Sequence, residues 1–194
     1  MRNLVSITVV GALLALVIAC GGASSTAIAN AKQARFQGDK LELFAGAKAA
    51  TEAKYKLAKS DETTLGLQTA ARWYSPEGLG VSATREDVRD LVDGSLNVVL
   101  VVELLQEGGD KWVVSVRPVI FRFNKGQPKP DAVQPNDPSL PGWVRGKVDQ
   151  LHYAIYEKLK PFEVRTTGGV MPANTSAPSD TPPTSGAPGA GSAP

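Results

Sequence analysis

The chain has 194 residues, with 21 Lys and Arg against 19 Asp and Glu, one His and one Cys. Thiols and imidazoles build metal sites and disulfide frameworks in sets, so lone Cys20 and lone His152 exclude zinc fingers, disulfide scaffolds and histidine-rich metal centres. A net charge of +2 argues against nucleic-acid binding through bulk basicity.

Arg2 precedes an uncharged apolar run from Leu4 to Ala19. A membrane-spanning helix needs about 20 such residues, so this run is short for a stable span. One positive charge, an apolar stretch and small residues before a cut site form a secretory pattern instead. Its end, Val17-Ile18-Ala19-Cys20, resembles the lipobox of bacterial lipoproteins. The resemblance implies diacylglycerol on the Cys20 sulfur, cleavage after Ala19 and a mature chain starting at Cys20. The competing reading makes Cys20 a small hydrophobe in an uncleaved signal anchor. Against it, Cys20 is the sole thiol, and Gly21-Gly22-Ala23-Ser24-Ser25 reads as a pliable tether. Two or more acyl chains anchor durably where one does not. Gly21 after the Cys resembles the outer-membrane sorting class, so the expected location is the periplasmic side of the outer membrane.

Four regions follow: a signal peptide at 1–19, a lipidated flexible tether at 20–33, an α+β domain at 34–166 and a tail at 167–194. The tail is almost entirely Pro, Ala, Gly, Ser and Thr. It cannot bury enough apolar surface to offset its ordering entropy, so disorder is expected there. Asn174-Thr175-Ser176 matches the glycosylation triplet and reads as a chance match.

Within the domain, Asp39 and Glu42 form a capping-box pair ahead of a helix to about Lys54, with Leu43, Phe44, Ala47, Ala50 and Thr51 on its buried side. Strands are expected at Tyr55–Lys59 and Thr64–Ser75. In the second, Leu65, Leu67, Thr69, Ala71 and Trp73 point inward, and Gln68, Arg72 and Tyr74 outward. Leu96 to Leu105 is apolar on both faces, with Leu96, Val98, Leu100, Val102 and Leu104 on one and Val99 and Val101 on the other. Such a strand is covered on both sides. Glu107-Gly-Gly-Asp110 is a hairpin turn. The returning strand carries Trp112, Val114 and Val116 inward. Apolar positions then shift to Val119, Phe121 and Phe123, which predicts a bulge or bend at Pro118 with its nitrogen turned away from a partner strand. After a proline-rich excursion from Gln127 to Pro141, a second helix from Trp143 to Lys160 carries the stripe Val144, Val148, Leu151, Ile155 and Leu159. The expected fold is therefore an α+β sandwich: an antiparallel sheet of about four strands with two helices on one face.

No catalytic constellation is expected. His152 reads as a surface or boundary histidine at the helix shoulder. Glu86, Asp87, Asp90 and Asp93 lack calcium-loop spacing, and arginines intervene, so they read as a solvated segment and no metal is expected. Gly108-Gly109 lacks the context of a phosphate loop. No cofactor is implied. The candidate interaction surface comprises Tyr74, Trp143, Tyr153 and Tyr156, either as interface anchors or as covers for sheet edges, together with Val99 and Val101. The proline-rich excursion is expected to cover those valines. If it does not, they form an apolar groove for a partner or lipid.

The order of an Ala-rich helix, Tyr55-Lys-Leu, Asp61, Gly66 and a long strand after a lipidated Cys resembles small envelope-assembly lipoproteins. Two groups share it: the helix-grip lipoprotein of the outer-membrane β-barrel assembly machine and the lipoprotein partner of lipopolysaccharide assembly. That resemblance implies a non-catalytic, membrane-tethered module with an envelope protein as partner. The alternative is a binding module for a lipid or other apolar ligand.

Overall fold

The computed structural model describes residues 23–81 and 91–164. The lipobox-like segment expected to end at Cys20, residues 82–90 of the acidic stretch and the tail with its Asn174 triplet lie outside the described residues.

Three α-helices and eight strands form an α+β fold among the described residues: α1 Ser25–Gln33, β1 Phe36–Gln37, α2 Lys40–Glu52, β2 Leu57–Asp61, β3 Gly66–Thr69, β4 Arg72–Tyr74, β5 Gly80–Val81, β6 Leu96–Gln106, β7 Lys111–Arg122, β8 Asp131–Val133 and α3 Gly142–Leu159. Every pairing is antiparallel. The sheet thus has eight strands, where about four were expected. The expected four are all present, as β2, β3 with β4, β6 and β7. Short edge segments, too brief to show a two-residue period, complete the count.

The long hairpin β6–β7 is the frame. Its register runs unbroken from Leu96↔Arg122 to Gln106↔Trp112. The turn between the two strands places Gly108 and Gly109 at φ +69° and +60°, which glycine adopts without strain. β3 and β4 share the other side of β6, and β1 and β8 share the outer side of β7. No bulge occurs at Pro118, contrary to expectation. Its phase is kept: Pro118 and Ile120 face the helices, while Val119 and Phe121 face the other side. The nitrogen does turn away from β6. The Leu100 N–H opposite points toward β3 and donates to Thr69 Oγ1 at 2.9 Å, so Leu100↔Pro118 is a pair without ladder bonds. Pro118 lies between the β7 residues that pair with β1 and those that pair with β8.

The slip in phase lies instead between β3 and β4. Leu67 opposes Val102 and Gln68 opposes Val101, whereas Arg72 opposes Val98 and Tyr74 opposes Leu96. Three residues, Thr69 to Ala71, thus stand against two of β6, a one-residue β-bulge. Beyond it the faces are exchanged relative to a straight strand. Tyr74, expected outward, is buried against the helices, and Trp73, expected inward, turns to the opposite face, which carries no helix among the described residues.

Helix α2 carries the predicted buried side without change: Leu43, Phe44, Ala47, Ala50 and Thr51. Asp39 caps it, accepting from the N–H groups of Leu41 and Glu42 at 2.9 and 3.1 Å. In α3, Val144, Leu151, Ile155 and Leu159 are buried as predicted, Val148 is half-buried, and His152 joins the buried set. The helices cross closely where Gly46 faces Leu159: a Cβ there would lie 2.7 Å from Leu159 Cδ2.

Helix α1 is a correction. Residues 20–33 were expected as a pliable tether, but Ser24 Oγ accepts from Ala27 N–H at 3.1 Å and starts a helix that packs on α3. Short alanine-rich helices show little periodicity, and tertiary contact supplies their stability. Ala31, Ala34 and Phe36 are buried in consequence. His152 lies beneath this extra helix and is not at a surface.

Candidate functional site

The six candidate interaction residues separate into three places. Val99 and Val101 lie on the face of β6 that carries no helix among the described residues. Val99 is buried and Val101 half-buried. Val119 opposes Val99, Arg117 opposes Val101, and the Arg117 guanidinium reaches Glu103 at 2.9 Å beside it. Phe121, on the same face, is 38% exposed. Trp73 meets Phe123 edge-on at 6.5 Å. The proline-rich excursion does not cover this face. Pairing of Ile120 with Val133 puts Val133 on the helix side, and Val133 and Leu140 pack against the main core. A cavity of about 430 Å³ between residues 135–142 and α3 marks where the excursion runs.

Tyr153 and Tyr156 form a second place, 6.2 Å apart near the C-terminal end of α3. The Tyr156 hydroxyl donates to Glu163 Oε2 at 3.1 Å, and its ring lies 6.5 Å from Phe36. These contacts make Tyr156 a cover for the sheet edge.

Tyr74 and Trp143 form the third. Their rings lie 5.2 Å apart, and Trp143 Nε1 donates to the Pro76 carbonyl at 2.9 Å. The turn receives the indole because Gly78 has no side chain: at φ +90°, a Cβ there would approach the ring to 2.8 Å. Beside this pair opens a cavity of about 160 Å³, floored by Val98 and Leu100 of β6 and by the bulge residues. Its walls bring together Lys54 and Lys56 after α2, Arg72 of β4 and Lys147 of α3, with Tyr55 and Tyr74 between them. Lys147 Nζ sits 4.3 Å from the Tyr74 ring centre and 5.7 Å from that of Trp143. The Arg72 guanidinium lies 5.5 Å from the same Tyr74 ring. Such cation–π contacts contribute about 0.5–2 kcal/mol each, more when water is excluded.

The electrostatics of this pocket are one-sided. No carboxylate lines it, and none of its four cations forms an ion pair among the described residues. Burial lowers the Lys147 pKa, and the Arg72 charge lowers it further. Burial raises the hydroxyl pKa of Tyr55, as does Tyr74, with Arg72 opposing. Burial likewise raises the Tyr74 hydroxyl, again against Arg72.

Elsewhere, His152 is buried between α1 and α3. Desolvation, then the nearby Lys32 charge, lower its pKa, while Asp149 opposes them. Lys32 Nζ meets Asp149 Oδ1 at 2.6 Å. No group of three or more potential metal ligands occurs among the described residues, and no helix among them is long and apolar enough to cross a membrane.

Sequence reasoning singled out Tyr74 and Trp143 but missed the cations around them. Basic residues do flank an aromatic at Lys54-Tyr55-Lys56, and Arg72 precedes the aromatic pair Trp73-Tyr74. Their meeting depends on the bulge, which brings Arg72 to the helix side. The fold and pocket define a sheet-and-helix domain with a cationic, aromatic-walled recess. No protein-family model matches the chain, and no curated protein matches it significantly.

Proposed function

We propose that this chain is an envelope lipoprotein, tethered through lipid on Cys20 and presenting its α+β domain as a non-catalytic interaction module on the periplasmic side of the outer membrane. The observation that carries this proposal is the lipobox at Val17–Cys20, whose Cys is the sole thiol of the chain. The position of α1 supports it. Only four residues lie between Cys20 and Ser25, where the helix begins, and an extended chain spans at most about 3.5 Å for each of the five Cα-to-Cα steps. An anchor at Cys20 holds the domain within about 18 Å of the bilayer surface, where a partner in the same membrane is within reach. Its partner under this proposal is an envelope protein.

Replacement Cys20→Ser is the test. The expected result is loss of palmitate incorporation, retention of the signal segment and disappearance of the protein from the outer-membrane fraction. Unchanged processing and fractionation would refute the proposal.

The second proposal, binding of a lipid or other apolar ligand at Val99 and Val101, is weakened by the burial of Val99. Native mass spectrometry of the purified protein, with no co-purifying small molecule, would remove it.

A further inference from the structure

We infer that the recess between the end of α2, the β3–β4 bulge and α3 is a binding site for a phosphate-class oxyanion, free or carried in a lipid headgroup. This inference is independent of the lipid anchor and concerns a different part of the molecule.

Four basic residues from three separate segments line one cavity, and no carboxylate among the described residues lines it. Lys54, Lys56 and Arg72 are exposed and Lys147 is half-buried; burial first, and then repulsion from the Arg72 charge, lower the Lys147 pKa. The fold keeps this arrangement where an acidic partner would relieve it. Some other cations of the domain have such partners, among them Lys32 with Asp149, Arg35 with Glu107 and Arg117 with Glu103. A multivalent anion supplies a counter-charge that no described residue of the lining provides.

Charge selects the class of ligand, and a recess of about 160 Å³ that is open to solvent has room for a tetrahedral oxyanion. Arg72 offers a planar fork suited to two oxygens of one phosphate, and the lysines act as point charges around it. Arg72 is also held in position. Gly80 lies beneath it, and a Cβ at Gly80 would come within 2.5 Å of its Nη2, so the absence of a side chain makes room for the guanidinium. The aromatic faces of Tyr74 and Trp143 hold Lys147 from the other side.

Calorimetric titration of the full chain in neutral detergent tests this, using inorganic phosphate and, separately, glycerophosphoglycerol as the soluble headgroup of phosphatidylglycerol. Saturable binding of phosphate alone supports a free-phosphate site, and tighter binding of the phosphodiester supports a headgroup site. In either case Arg72→Gln and Lys147→Gln should each weaken binding about tenfold, with unchanged far-ultraviolet circular dichroism. Should either variant fail to fold, the double change Lys54→Gln/Lys56→Gln at the rim should still weaken binding several-fold. Absence of binding of both probes at millimolar concentration overturns the inference, as does binding that these substitutions leave intact. The Cys20→Ser chain should bind as the parent does, which separates failure here from failure of the membrane anchor.

Discussion

Thr69 occupies the point where the sheet departs from regularity. It is buried, and its Oγ1 accepts the Leu100 N–H at 2.9 Å, where the bulge leaves no backbone carbonyl opposite. Thr69→Val preserves shape and removes the acceptor. Leu100 is itself buried, so its amide would lose its partner without gaining water. An unmet buried donor costs about 1–3 kcal/mol. With unfolding entropy near 2.1 cal/mol/K per residue over a folded body of roughly 130 residues, Tm should fall by about 4–11 °C. Thr69→Ser keeps the acceptor and loses one methyl, at a cost of about 0.8 kcal/mol. The expected order of stability is therefore Thr, Ser, Val, whereas apolar volume alone would put Val first and Ser last. Urea denaturation of the three proteins measures it, and hydrogen exchange at the Leu100 amide should accelerate in the Val variant. A Val variant at least as stable as the Ser variant would refute the role assigned to the hydroxyl.

Gly78→Ala should cost about 1–3 kcal/mol, because φ +90° is strained for alanine and the new Cβ meets the Trp143 ring. A shifted tryptophan emission spectrum would accompany the loss, and unchanged emission and Tm would count against the contact. Leu151→Ala, in a side chain with no exposure, should lower unfolding free energy by about 2–5 kcal/mol in denaturant titration. His152, with a pKa lowered from the ordinary 6.5, binds its proton less readily folded than unfolded. Its contribution is fully present above about pH 6.5 and is lost as pH falls from there towards the lower folded value, at no more than about 1.4 kcal/mol per pH unit. His152→Gln should flatten that slope in denaturation curves taken between pH 7 and 5, and an unaltered slope would assign it to other groups.

The two long helices and the four main strands were legible because each buries one face, so burial is written into the sequence with a period. The α2 face from Leu43 to Thr51 and the α3 stripe from Val144 to Leu159 are examples. Two-residue pairings such as Phe36↔Trp112 carry no period, and their existence is decided by the strand they meet. Helix α1 owes its place to contact with α3, and a run of Ser, Thr and Ala does not announce such contact. The bulge was the costliest miss. Val119, Phe121 and Phe123 invited a phase change at Pro118, yet that strand stays regular and its outward face is apolar. At Ala70 and Ala71 neither side chain signals a slip, because alanine suits either face. Of the pocket, Tyr74 and Trp143 were visible as aromatics. The cationic wall was not, since Lys54, Arg72 and Lys147 are remote in the chain and become neighbours only after the bulge buries Tyr74 and sets the exposed Arg72 on the helix side of the sheet.

A single surplus residue opposite Val99 and Leu100 therefore governs more than local pairing. With one alanine fewer, β3 would run straight into β4, Trp73 would swing under the helices, and Arg72 and Tyr74 would leave them. The recess would lose its guanidinium and one aromatic wall together. Length, counted in one unit of backbone, is thus as much a determinant of what this sheet can hold as any side chain along it.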